Sequence, residues 1–140
     1  MISGARAYAR SRLNAMGLKE WTDGFNWKNI PKSRLDEYYI IELGTVFGVQ
    51  NNQDNQDMDV EFTIHLFKSP TRDPRALIDS AVSLGDTVIA DFLAAGNRTT
   101  QAEIKNVRFN TLTIDPLDNS NDNGLEIKIA FMAHVIISTR

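Results

Sequence analysis

The chain has 140 residues, 42% of them hydrophobic, no cysteine and a formal net charge of −3. That is enough apolar surface for one core and predicts a single domain over residues 1–140, while the absence of cysteine excludes disulfides, thiolate metal sites and cysteine nucleophiles. No apolar run approaches the ~20 residues that cross a bilayer, and the N-terminus lacks the apolar stretch of a secretory signal, so a soluble protein folding in a cytoplasm is expected.

Charge is unevenly spread. Residues 1–34 carry seven Lys or Arg against two Asp or Glu, whereas residues 35–140 carry eight against sixteen. A basic arm therefore precedes an acidic body, which predicts an arm that docks on an acidic neighbour and a body that repels nucleic-acid phosphates.

The arm opens with a short helix over residues 4–16. Ala5, Tyr8, Ala9, Leu13 and Met16 fall to one side, Arg6, Arg10 and Arg12 around the others, and Gly17 ends it. From Leu18 to Arg34 no steady period of 2 or 3.6 persists, which predicts a loop packed by Trp21, Phe25 and Trp27. A first strand is expected from Leu35 to Val49, with Tyr39, Ile41 and Leu43 alternating against Tyr38, Ile40 and Glu42, and a bend or bulge at Gly44 and Gly48. Gln50 to Asp57 contains no apolar residue and predicts a mobile hairpin loop. The second strand, Met58 to Lys68, separates Val60, Phe62, Ile64 and Leu66 from Asp59, Glu61, Thr63 and His65, the pattern of a half-buried antiparallel strand.

A long helix follows from Pro74 to Ala95. Asp73 stands at its N-cap, Pro74 at its first position and Gly96 just past its end. Leu77, Ile78, Ala81, Val82, Leu84, Val88, Ile89, Phe92 and Leu93 form one stripe that should cover a sheet. Two further strands, Ile104 to Asp115 and Gly124 to Ser138, are joined across Pro116 to Asn123. The last holds seven alternate apolar residues from Leu125 to Ile137, which predicts a central strand overlong for a small core, with one end reaching a neighbour.

Chemistry-bearing motifs fail in detail. The run from Asp118 to Glu126 has oxygen ligands at alternate places, but its glycine and glutamate stand at the wrong positions for an EF-hand calcium loop, and a solvated turn is expected. His65 and His134, the two histidines, have no metal-ligand spacing, no nucleophile elbow is present, and the dispersed glycines make no phosphate loop. No catalytic residue, cofactor or metal is predicted. The acids Asp79, Asp86 and Asp91 belong to a helix without Lys or Arg from Ala76 onward, so they form either a solvated face or an acidic wall past which DNA slides.

The expected architecture is α+β, a mainly antiparallel four-stranded sheet covered by one long helix, with an N-terminal helix: α-β-β-α-β-β. This order, with the segment NIPKSRLDEYYIIELG, the polar QNNQDNQD loop and DVEFTIHLF, resembles the tail terminator, or tail completion, proteins of long-tailed bacteriophages, the group of the lambda minor tail protein U. The resemblance implies a virion structural protein and no enzyme. Its expected form is a homo-oligomeric ring, typically a hexamer, that caps the head-proximal end of the tail tube and meets the head connector or neck protein. DNA would pass through its lumen without specific binding, and no membrane would be involved. Head-closure proteins of the same virions share the layout, and a small α+β ligand-binding domain or enzyme is the alternative from another class. Arg6, Arg10, Arg12, Trp21 and Trp27 are then the candidate partner interface. Asp79, Asp86 and Asp91, or Asp118 and Asp122, are the candidate channel-facing residues.

Overall fold

The computed structural model describes residues 2–22, 27–51, 55–96, 104–117 and 124–138. Helix α1, Ile2–Ala15, stops at Gly17, whose φ of 87° suits a residue without Cβ. There the Gly17 N–H returns to Asn14 O at 3.0 Å and the Leu18 N–H to Leu13 O at 3.2 Å, satisfying two terminal carbonyls. Helix α2, Pro74–Gly96, is capped as expected: the Asp73 carboxylate accepts from the Arg75 N–H at 3.1 Å.

Five strands form one mixed sheet: β1 (Lys19–Glu20), β2 (Tyr38–Asn51), β3 (Asn55–Lys68), β4 (Ile104–Pro116) and β5 (Leu125–Ser138), in the order β1-β2-β3-β5-β4. The α+β class stands, but the sheet has five strands instead of four, because two residues of the expected loop pair in parallel with Tyr38 and Tyr39. The remaining neighbours are antiparallel.

Three expected boundaries move. The stretch from Leu18 to Arg34 is more than a loop, for besides β1 it holds the 3₁₀ turn Trp27–Asn29 and the start of a second, Lys32–Glu37, which delays β2 to Tyr38. The polar segment Gln50 to Asp57 is mostly strand, with Gln50 opposite Asp57 and Asn51 opposite Gln56, and only residues 52–54 lie outside the described residues. Ladder hydrogen bonds are made by backbone, and β5 pairs with β3 as far as Asn55–Ser138, so polar side chains do not stop the hairpin. The same pairing leaves no overhang of β5 past β3, while β5 is an interior strand as expected, with β3 on one side and β4 on the other.

One face of the sheet carries the main core. Tyr39, Phe62, Ile64, Leu66, Ile129 and Phe131 are buried there beneath α1 and α2. Phe131 stacks on Phe92 of α2 at 4.7 Å and on Phe62 at 5.6 Å between ring centroids. Helix α2 lies close over β4: a Cβ at Gly85 would stand 2.8 Å from Leu112 Cδ1, so a larger residue there would push that side chain aside. Among the described residues the other face is covered at one end only, where the 3₁₀ turns pack Ile30 and Leu35 on Ile40, Phe67 and Leu117. Gly124 has a φ of 99°, and a Cβ there would run into the Lys68 carbonyl.

Candidate assembly surfaces

Two of the three α1 arginines are paired within the molecule. Arg6 Nη2 donates to both Glu20 carboxylate oxygens, at 2.6 and 2.8 Å, so β1 is clasped to α1. Arg12 makes a forked pair with Asp91, at 2.8 and 2.5 Å, and the Asp91 hydrogen bond raises the guanidinium's pKa further above its ordinary value. One candidate interface residue and one candidate channel residue thus satisfy each other, holding α1 to α2. Beside them the Tyr8 hydroxyl donates to Phe92 O, and burial pushes its pKa up to about 12, keeping it protonated as a donor. Of the three α1 arginines Arg10 is the least engaged: it stands 3.9 Å from a Glu20 oxygen that Arg6 already holds, with half its side chain exposed.

Trp21 and Trp27 both pack against the smaller core cluster. The Trp21 ring meets Tyr38 edge-on at 5.0 Å, its backbone N–H donates to Tyr39 O at 2.9 Å, and its indole Nε1 is buried without a hydrogen-bond partner among the described residues. It also forms one wall of a groove of about 540 Å³ beside β2, with Arg6, Glu20, Ile41 and Leu43 among the other lining residues. Phe25, expected as a third anchor, lies outside the described residues, as do Asp118 and Asp122.

Asp79 and Asp86 are exposed on α2, as their place in the sequence predicts. The apolar stripe is narrower than expected. Leu77, Ala81, Val88 and Phe92 are buried, but Ile78 and Val82, each about 100° further round the helix, are exposed. They stand on the side of α2 where Gly85 meets β4, away from the α1 side marked by Asp91. Leu43, Phe47, Ile78, Val82 and Phe109 are the large apolar residues left 40–47% exposed among the described residues. They lie along two opposite flanks: Leu43 and Phe47 on β2, one on each face of that strand, and Phe109 on β4 with Ile78 and Val82 further along the β4 side of α2.

Both histidines point to the uncovered sheet face, where each sits between two carboxylates. His65 Nδ1 is 3.2 Å from Glu126 and its Nε2 3.2 Å from Glu42, so the imidazole bridges β2, β3 and β5. His134 Nδ1 is 3.0 Å from Asp59 and its Nε2 3.6 Å from Asp57, and Arg108 of β4 reaches the same Asp59 at 3.0 Å. Burial by itself would raise the Glu126 carboxyl, yet the hydrogen bond and charge of His65, with Lys128 beside it, outweigh burial and hold its pKa below the ordinary value. Among the described residues no group of three or more His, Cys, Asp or Glu has the geometry of a metal site.

The described residues form one α+β fold built on a mixed sheet, with apolar residues exposed along two flanks. Comparison with known proteins finds no matching family model and no curated protein that matches. No helix among the described residues is long and apolar enough to cross a membrane. The sequence places Trp21 and Trp27 in a packed segment and Asp79 and Asp86 on an exposed helix face, but it does not mark Leu43, Phe109 or the outer side of α2 as exposed. The one available signal was the width of the α2 stripe, which exceeds what a single sheet contact needs.

Proposed function

We propose that this protein is a ring-forming structural subunit of a long-tailed bacteriophage, a tail terminator that caps the head-proximal end of the tail tube and joins it to the head connector. The observation that carries the reading is the pair of dissimilar apolar flanks. Leu43 and Phe47 on one side, and Phe109, Ile78 and Val82 on the other, leave each copy with two different surfaces to cover. Two unlike patches on opposite sides make a head-to-tail joint, and such joints close into rings when the rotation permits. The resemblance in element order supports a terminator over an unrelated ring, and a hexamer is its expected size. The uncovered sheet face suits a DNA passage: Glu42, Asp57, Asp59, Glu61, Asp115 and Glu126 stand there against Lys128 and Arg108, so the wall repels phosphate more than it holds it. This face takes over the role that the sequence assigned to Asp79 and Asp86, which sit on the helix side of the sheet. Static light scattering tests the reading. One closed species several times the 15.7 kDa of the chain is expected, together with binding to isolated tail tubes. A monomer at every concentration, or a ring indifferent to tubes, overturns it.

A further inference from the structure

We propose that neighbouring copies join through their sheets: β4 of one copy adds antiparallel to the open edge of β2 of the next, and α2 of the first lies over the groove beside that edge. This rests on the ring reading and specifies its joint.

Both edges are open. β1 covers only Tyr38 and Tyr39, so among the described residues β2 has no outer partner from Ile40 onward, and β4 has none beyond β5. Unpaired strand edges are templates for a further strand, and proteins that must stay monomeric block them with Lys, Pro or a covering element. Residues Ile40 to Asn51 include no Lys, Arg or Pro.

The occupant is a second copy because the two edges match in direction, height and side chains. Every pairing from β2 to β4 is antiparallel and the order is β2-β3-β5-β4, so β4 runs opposite to β2. A copy rotated about an axis along the strands therefore presents its β4 antiparallel to β2. The edges span the same rows: Ile40 continues through His65 and Lys128 to Thr113, and Gly48 through Met58 and Val135 to Ile104. Between them one row runs Leu43, Phe62, Phe131, Phe109 on the helix-covered face. Its two interior members are fully buried, while its two end members are half exposed. A joint in register sets Leu43 against the next copy's Phe109 and continues the row. Each edge has a register shift just after that residue, so the added ladder falls into two stretches either side of the apolar pair.

The apolar surfaces agree with the same arrangement. The outer side of α2 carries Ile78 and Val82 with Asp79 and Asp86 exposed next to them, while the groove beside β2 is lined by Trp21, Ile40, Ile41 and Leu43 with Glu42 and the Arg6–Glu20 pair, and half-exposed Arg10 stands nearby on α1. Apolar surface meets apolar surface, and Arg10, the least engaged of the three α1 arginines, is the cation left to meet Asp79 and Asp86.

The chain has no cysteine, so a designed pair reports the joint without background. Leu43 and Phe109 stand three strand spacings apart within one copy, about 14 Å, well beyond the ~7 Å Cα separation a disulfide can bridge. Oxidation of the Leu43→Cys, Phe109→Cys double variant should produce a ladder of covalent multimers ending at the ring size. A mixture of the two single variants should stop at covalent dimers. A ring of normal mass that gives no ladder overturns the sheet joint and leaves the ring reading intact, as does self-linking of the Leu43→Cys variant alone, which would mean a symmetric contact. A monomer throughout overturns both. Val82→Glu tests the α2 contact with both edges untouched: a folded protein by circular dichroism whose half-assembly concentration rises about tenfold or more is expected, and unchanged assembly rejects it.

Discussion

The two faces of the sheet are finished by different means. Under the helices, cross-strand rows of Phe, Ile and Leu are sealed from water, and Phe131 alone touches the rings of Phe62, Phe92 and Phe109. On the other face a five-residue cluster closes only one end, and ion pairs order the rest. Burial of apolar area is non-directional and large, whereas partly exposed ion pairs contribute little but specify which side chains stand together. The covered face therefore supplies the stability of the subunit, and the uncovered one supplies a polar wall of defined charge.

The largest effect expected from that contrast is at Phe131. Phe131→Ala should lose about 3–5 kcal/mol of unfolding free energy in urea titration, because the ring is fully enclosed and its neighbours cannot all collapse into the space. A loss under about 1 kcal/mol would mean that the covered face is not the main source of stability. Phe67→Ala probes the smaller cluster on the opposite face. Its neighbours Trp21, Trp27 and Tyr38 are only partly buried and free to relax, so a loss of about 2–3 kcal/mol is expected, and a value equal to that for Phe131 would erase the contrast.

The smallest effect belongs to the ion pairs. The folded Glu126 carboxyl is held below its ordinary value of 4.5, so it binds fewer protons folded than unfolded. Its stabilisation is present above pH 4.5 and is lost as pH falls through the folded value. Glu126→Gln should cost below about 1 kcal/mol at neutral pH and flatten the decline of stability below pH 4.5. Parallel acid curves for the variant and the parent would show that the His65 bridge adds nothing.

Periodicity and end signals alone were sufficient for the elements that depend on neighbouring residues. The Asp73, Pro74 and Gly96 signals place α2 to within one residue, and the alternation in Met58 to Lys68 assigns the core face of β3 correctly, because capping and pleating are local. Tertiary structure decided the rest. Lys19 and Glu20 became a strand only because the start of β2 offered them an edge, and Gln50 and Asp57 stayed in the hairpin because backbone, not side chains, makes the ladder. Arg12 and Asp91, far apart in the chain, neutralise each other across two helices, so neither charge tells from sequence whether it faces a partner. The same holds for Leu43 and Phe109: each has the pattern of a core residue, and only the order of strands leaves both at open edges with their outer sides uncovered. Local hydrogen bonding is written in short stretches of sequence, but which apolar residues remain exposed depends on where the sheet ends.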